Sequence, residues 1–301
     1  MYDIIIVGAG TAGLTAAVYG ARSGKKVLVL EGRQPGGQIV NSPRVENYPG
    51  IKFISGFEFI RGLKEQAEAM GAEFCDSAAE QIIDRGVKKE VRTGEKNLEG
   101  RTVILAGGTA YRKLGLENEE RLTGNGVSYC AVCDGAFYRG KDAAVVGGGN
   151  TALEDALFLA DHCRNVFVIH RRDHFRGESH LVNSLQAREN VEFVMESVVT
   201  SLRGEDRLES VIIRNTTTGV VSEKKIDGLF VAVGQKPDNE RFADVVKLDE
   251  SGYIQADETC ETGTPGIFAA GDCRTKRVRQ LVTAAADGAA AALAACGYLS
   301  G

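Results

Sequence analysis

Four consecutive apolar residues, Ile4-Ile5-Ile6-Val7, stand near the start of the chain and break off at Gly8. A short unbroken apolar run bounded by turn residues reads as a strand buried on both faces. The stretch Leu14 to Arg22 has the spacing of a helix, and Lys26-Val27-Leu28-Val29-Leu30 is a second strand, closed by Glu31. The same order returns later. Ala143-Ala144-Val145-Val146 predicts a strand, a glycine-rich turn follows, a helix runs from about Leu153 to Asp161, and Val166 to Ile169 is again a strand. Further apolar strands are expected at Thr102 to Ala106, at Leu229 to Val233 and at Gly266 to Ala270, the last ending in Gly271-Asp272. A helix with an alanine-rich body, Ala284 to Ala295, follows from about Gln280.

Each strand-to-helix turn carries chemistry. Gly8-Ala9-Gly10-Thr11-Ala12-Gly13 has the G-x-G-x-x-G pattern of a dinucleotide site. Gly8 permits the turn, Gly10 lets a pyrophosphate approach the backbone, Gly13 allows helix and strand to pack closely, and the helix N-terminus faces the phosphates. Glu31 is placed to hydrogen-bond ribose hydroxyls. In the second copy, Gly147-x-Gly149-x-x-Ala152, the end differs: Glu31 lies 23 residues after Gly8, and the same offset from Gly147 reaches His170, followed by Arg171, Arg172 and Arg176. A carboxylate there would repel a 2′-phosphate, whereas guanidinium groups bind phosphate oxygens bidentately. The second site is therefore expected to take NADPH. A fold of class α/β follows, with two Rossmann-like nucleotide-binding domains, each a three-layer core around a parallel sheet.

The first unit lacks a closing element until the strand at Gly266 to Ala270, so the second domain is expected to be inserted in the first. The expected boundaries give residues 1–111 and 241–301 to the first domain and 112–240 to the second, the crossings lying near Tyr111 to Lys113 and near Pro237 to Arg241. The 301 residues are ample for two such cores. A net charge of −5 offers no general attraction to nucleic acid or anionic membrane. No apolar run is expected to approach the roughly 18 residues of a membrane helix, and the first strand begins so early that no signal peptide is expected.

Cysteine usage sharpens the picture. The chain has seven cysteines, an odd count, with Cys75, Cys163, Cys260, Cys273 and Cys296 scattered. That is not a disulfide framework, and it suits a reducing cytoplasm. Cys130-Ala131-Val132-Cys133 is the exception. A zinc site would need further ligands, but there is no second C-x-x-C and the histidines cluster between His162 and His180, so a redox role is favoured and no metal is expected.

Taken in order, G-A-G-T-A-G-L-T-A-A, Gly36-Gly37-Gln38, Val45-Glu46-Asn47-Tyr48-Pro49-Gly50, C-A-V-C-D-G, G-G-G-N-T-A, H-R-R-D-H-F-R and the closing G-D with R-Q-L-V-T-A-A resemble the low-molecular-weight bacterial thioredoxin reductases over essentially the whole chain. The resemblance implies a homodimer with FAD in the first domain, NADPH on the central one, and thioredoxin as the disulfide substrate. Gly8, Gly10, Gly13, Glu31, Gly37, Gln38, Asn47, Gly271, Asp272, Arg279 and Gln280 match FAD positions. Gly147, Gly149, Asn150, Thr151, Arg171, Arg172 and Arg176 match NADPH positions. Cys130 and Cys133 match the redox pair. Asp134 is the expected proton donor, since no histidine occurs after His180.

The chain departs from the family pattern at Ala106-Gly107-Gly108, where Ala-Thr-Gly is common, at Ala136, where the family has an aromatic, and at Asn150-Thr151, where an acidic-Ser pair is frequent. A flavin dithiol oxidase or ferredoxin-fed reductase would share the fold but not need the second fingerprint and its arginines. A redox sensor binding flavin and nucleotide would show no turnover.

Overall fold

Along the first strand, Tyr2–Val7, successive side chains enter different cores. Ile4 and Ile6 join one apolar cluster with Leu14, Val18, Val27 and Val29, while Ile5 and Val7 join another with Leu28, Leu30, Phe242 and Val246. This is why the run is unbroken: the sheet is covered on both faces. Each fully buried isoleucine contributes about 2 kcal/mol relative to exposure. The computed structural model describes residues 1–42 and 44–301.

The chain separates into two compact units, Met1–Ala110 with Lys236–Gly301, and Tyr111–Gln235. The first unit holds a sheet in the order Glu73–Cys75, Val27–Leu30, Tyr2–Val7, Asn97–Leu105, Lys89–Arg92, Gln81–Asp84, with Ile267–Ala269 also pairing with Asn97–Leu105. The pairings that involve Tyr2–Val7, Val27–Leu30 and Ile267–Ala269 are parallel, and the hairpin Gln81–Asp84/Lys89–Arg92 continues the sheet antiparallel. The second unit holds a parallel sheet in the order Val191–Val194, Asn165–Ile169, Asp142–Val146, Gly228–Val231, Val127–Ser128. An antiparallel sheet of Ser197–Arg203, Ser210–Asn215 and Val221–Lys225 packs beside it. This is the expected α/β architecture.

Two sequence expectations need correction. The helices begin one turn earlier than their apolar spacing suggests, at Thr11 and at Asn150 rather than at Leu14 and Leu153, because the last residues of each glycine fingerprint are themselves the first helical turn. The C-terminal helix, Leu281–Ser300, is long and apolar enough to cross a membrane by length and composition, against the expectation that no segment would be. In the fold one face of it packs on the first unit. Ala291, Ala292, Ala295 and Leu299 are buried in the first unit's core, and a Cβ at Gly288 would lie 2.2 Å from the Ala12 carbonyl oxygen. The alanines serve this close approach to the helix Thr11–Arg22.

Candidate active site

In the first unit the strand Tyr2–Val7 ends at Gly8, which adopts φ +106° and whose Cβ, if present, would lie 2.4 Å from the carbonyl oxygen of Ala106. Gly13 is equally constrained, since a Cβ there would be 1.9 Å from the Gly8 carbonyl oxygen. Gly10 is different: a Cβ would meet nothing within 4 Å. It is the N-cap of the helix and offers no side-chain cap, and the first intrahelical bond is Leu14 N–H to the Gly10 carbonyl. The amide N–H groups of the first turn are thus left for an external acceptor.

The other first-unit candidates gather around this turn. Glu31 accepts the Ala9 N–H at 2.9 Å and the Arg33 N–H at 3.0 Å, which fixes its carboxylate across the fingerprint. The Gly36 N–H donates to the Ala9 carbonyl at 2.8 Å, seating the turn of Gly36 and Gly37 beside it. The Gln38 amide donates to the carbonyl of Thr109, so its oxygen is turned the other way. Gly271 touches the helix start, where a Cβ would be 2.8 Å from that of Ala12. Asn47 donates to the Gln280 side-chain oxygen at 3.3 Å, and Gln280 caps the helix Leu281–Ser300 in a reciprocal box with Thr283. Arg279 lies over the Tyr253 ring, 4.2 Å from its centroid, and reaches the Asp272 carbonyl.

Two buried oxygens here, Gln38 Oε1 and Asp272 Oδ1, have no hydrogen-bond partner among the described residues. Burial pushes the Asp272 carboxyl up, with Lys276 and Arg279 opposing. Buried polar atoms are rarely left unpaired, so a polar ligand is called for. An open phosphate cradle, a fixed carboxylate for a ribose and two orphaned acceptors fit a flavin dinucleotide.

In the second unit a Cβ at Gly147 would lie 2.4 Å from the Ala232 carbonyl oxygen, the counterpart of Gly8 against Ala106, whereas a Cβ at Gly149 would meet nothing within 4 Å. His170 takes the place of Glu31. Its ring lies over Gly148, where a Cβ would be 2.2 Å from Cε1, and stacks on Phe175 at 5.4 Å. Burial and the charges of Arg176, Arg171 and Arg172 lower its pKa, so the ring is neutral and serves as a wall. The loop after it folds back, the Arg176 and Gly177 N–H groups donating to the Gly148 carbonyl at 2.7 and 3.1 Å. Arg171, Arg172 and Arg176 are exposed beside the fingerprint, and no ion pair holds them among the described residues. Thr151 is exposed in the first helical turn, while the Asn150 amide is engaged by Glu178 in a reciprocal pair at 2.8 Å. An open helix start with free guanidinium groups fits a phosphorylated nicotinamide dinucleotide.

Cys130 and Cys133 are joined in a disulfide around the short helix Ala131–Asp134. This turn packs on the helix Asn150–Ala160: a Cβ at Gly135 would be 2.8 Å from the Leu159 side chain. Both cysteines are half-buried, while Val132 between them is 47 % exposed. Asp134 is mostly buried, and desolvation raises its carboxyl pKa, opposed by the hydroxyl of Ser128. That hydroxyl donates to Asp134 Oδ2 at 2.6 Å and accepts the Cys130 N–H at 3.1 Å. Nothing in the order of residues singles out Ser128; only the fold sets it beside the acid. Of the five free thiols, Cys163, Cys260 and Cys273 are buried, and burial pushes them up to about 11 or 12, which leaves them inert.

Residues 2–288 match the family described as pyridine nucleotide-disulphide oxidoreductase. The chain is 43 % identical over 293 residues to a thioredoxin reductase of Bacillus subtilis (strain 168), covering 97 % of this chain and 93 % of that one. It superposes on the crystal structure of thioredoxin reductase from Streptococcus pyogenes MGAS5005 with a TM-score of 0.96 at 42 % identity, covering 100 % of this chain and 98 % of that one. Thioredoxin reductase from Giardia duodenalis gives a TM-score of 0.93 at 33 % identity over 100 % and 99 % of the two chains. With both glycine fingerprints and a disulfide at the C-x-x-C, the chain belongs to the pyridine nucleotide-disulphide oxidoreductases, among the low-molecular-weight thioredoxin reductases.

Proposed function

We propose that this protein is an NADPH-dependent flavoprotein that reduces the disulfide of thioredoxin. The observation that carries the reading is the Cys130–Cys133 disulfide, flanked by a buried carboxyl, within a unit that also presents a nucleotide fingerprint and free arginines. The first unit, with Gly8, Gly10, Gly13, Glu31, Gly37, Gln38, Asn47, Gly271, Asp272, Arg279 and Gln280, would hold FAD. The second, with Gly147, Gly149, Asn150, Thr151, Arg171, Arg172 and Arg176, would hold NADPH. Asn150 acts through its backbone, since Glu178 holds its side chain. When bound, the nicotinamide supplies a hydride and the flavin relays the two electrons.

The chain's own residues do the rest. Opening the disulfide takes two electrons and one proton and leaves one thiolate and one thiol on Cys130 and Cys133. The thiolate attacks the partner's disulfide; one new S–S bond forms, the partner's breaks, and its leaving sulfur takes the proton held on Asp134. The second cysteine then returns its proton to the Asp134 carboxylate and attacks the mixed disulfide, which frees the partner as a thiol and a thiolate and restores the first bond. Either cysteine can be the attacking one.

The same reading places the protein in the cytoplasm, as the reduced scattered cysteines suggest. It also makes the protein a homodimer. Val282 and Leu293, three helical turns apart on one side of the C-terminal helix, are 43 % and 54 % exposed and give such an interface apolar surface. Thioredoxin turnover decides the main point. Cys130→Ser and Cys133→Ser should each abolish NADPH-driven reduction of thioredoxin while FAD content and flavin reduction persist. Full turnover in both single variants, or loss of FAD and precipitation in both, would overturn the reading.

A further inference from the structure

The geometry points to Ser128 as more than a buried serine. It is almost fully enclosed, at 4 % exposure, in the short strand Val127–Ser128, two residues before the first redox cysteine. Its hydroxyl has one hydrogen. The Cys130 N–H occupies a lone pair at 3.1 Å, and the Cys130 carbonyl, at 3.4 Å, is the weaker of its two acceptors. The hydrogen is therefore directed to Asp134 Oδ2 at 2.6 Å, a charge-assisted bond. The carboxyl is pinned by that oxygen alone. Asp134 Oδ1 is buried and has no partner among the described residues. An isolated buried oxygen is the favourable place for a proton, since a charged one would be desolvated there without compensation.

We propose that Ser128 is a positioning residue for thiol exchange: its hydroxyl holds Asp134 by Oδ2 and leaves Oδ1 to carry the proton that passes to the partner's leaving sulfur. Because the same oxygen takes the Cys130 N–H, the acid and the cysteine backbone move as one piece. The inference rests on Asp134 being the acid of the proposed reaction.

The groups that face Asp134 are few. On its own segment they are Cys130 and Cys133, and in the following turn Tyr138, whose pKa burial and the Asp134 charge push up to about 12. Tyr129 follows Ser128 and is held by Glu119. The helix Asn150–Ala160 packed against the turn contributes Glu154 and Asp155, and Asp227 stands at the start of the strand Gly228–Val231, beside Val127–Ser128. The cations of this segment are Arg139 and Lys141, the latter over the Tyr138 ring at 5.5 Å, and neither pairs with Asp134, so the Ser128 hydroxyl is the stabilising partner of the ionised carboxyl.

The test is the pH dependence of oxidation of the pre-reduced protein by a bacterial thioredoxin. The rate should fall at high pH as Asp134 loses its proton. Removing the hydroxyl in Ser128→Ala weakens the carboxylate, so that limb should move up by about one pH unit, a tenfold change in proton affinity. The plateau should fall roughly tenfold as the carboxyl loses its orientation. FAD content should be unchanged, and Ser128→Thr, which keeps a hydroxyl, should restore the wild-type limb. Asp155→Asn removes a second buried carboxyl, one pushed up to about 7, and should leave the limb in place. If Ser128→Ala does not fold, the volume-matched pair Ser128→Thr and Ser128→Val carries the same comparison. An unmoved limb in the variant lacking the hydroxyl overturns the proposal for Ser128. An unchanged profile in Asp134→Asn instead overturns the assignment of the acid itself.

Discussion

The two glycine fingerprints are one device built twice, and their differences are local. Gly8 and Gly147 each sit 2.4 Å, Cβ to oxygen, from the carbonyl of the residue after a neighbouring strand, Ala106 or Ala232. Gly10 and Gly149 each leave open space. The difference that bears on the ligand lies at the second strand's end. Glu31 turns its carboxylate back to the Ala9 amide, while His170 lays a neutral ring over Gly148. The carboxylate makes the first site suited to a diol and hostile to an extra phosphate. A neutral ring makes no such demand and leaves three exposed arginines unopposed. On the proposed function, specificity would be set at the rim by which residue closes the turn, while the cradle stays the same.

The largest effect is expected at that rim. Arg171→Ala with Arg172→Ala should raise KM for NADPH by about 100-fold or more, from losses of about 1.5–3 kcal/mol per charged hydrogen bond, and leave KM for NADH nearly unchanged. Equal changes for both nucleotides would mean that these arginines do not read the phosphate, and the contrast with Glu31 would lose its meaning.

The first glycines separate shape from conformation. Gly8 combines a backbone contact with φ +106°, whereas Gly147 has the contact at an ordinary φ. Gly8→Ala should cost about 3 kcal/mol of stability and Gly147→Ala about 2 kcal/mol, read from urea unfolding. A Gly147→Ala protein more damaged than Gly8→Ala would show that the two turns are not built alike.

One turn into each helix the copies differ again, for the position that is Ala16 in the first is Asp155 in the second, buried, with its carboxyl pushed up to about 7 by desolvation and by Glu154. A carboxyl whose folded pKa exceeds its unfolded one contributes fully below about pH 4, and that contribution is lost as pH rises to about 7. Asp155→Asn should therefore be more stable than the parent at pH 8, by about 2 kcal/mol, with the gain shrinking toward pH 4. A gain independent of pH, measured by thermal unfolding across this range, would rule out titration of Asp155 as its source.

The smallest stability effect belongs to the open glycines. Gly10→Ala and Gly149→Ala should each change unfolding stability by less than about 0.5 kcal/mol, since nothing opposes the new methyl. The first should lose flavin and the second should bind NADPH more weakly. Retention of both cofactors would show that the pyrophosphates do not sit on these turns.

Much of this protein is legible in the order of its residues. Unbroken apolar runs give parallel strands because both faces are covered, and glycines at fixed spacing mark the turns where backbone must meet backbone or ligand. The offset from Gly147 to His170 and the arginines beyond it are what the proposed change of nucleotide is read from, and two cysteines at C-x-x-C need no tertiary information to be seen as a pair. What only the fold decided concerns groups distant in sequence or hidden by type. An alanine-rich helix with the length and composition of a membrane span lays one face on the first unit's core because Gly288 meets the Ala12 carbonyl, a contact with a helix laid down hundreds of residues earlier. Asn150, matched to a nucleotide, has its side chain taken by Glu178. Ser128 becomes the partner of Asp134 because a strand end and a helical turn converge on one hydroxyl. Local patterns report which backbone can form, since each residue carries its own preferences and period. Which polar atom is buried, and against what, depends on the packing of the whole chain, and that is where the chemistry of the carboxyl beside the disulfide is set.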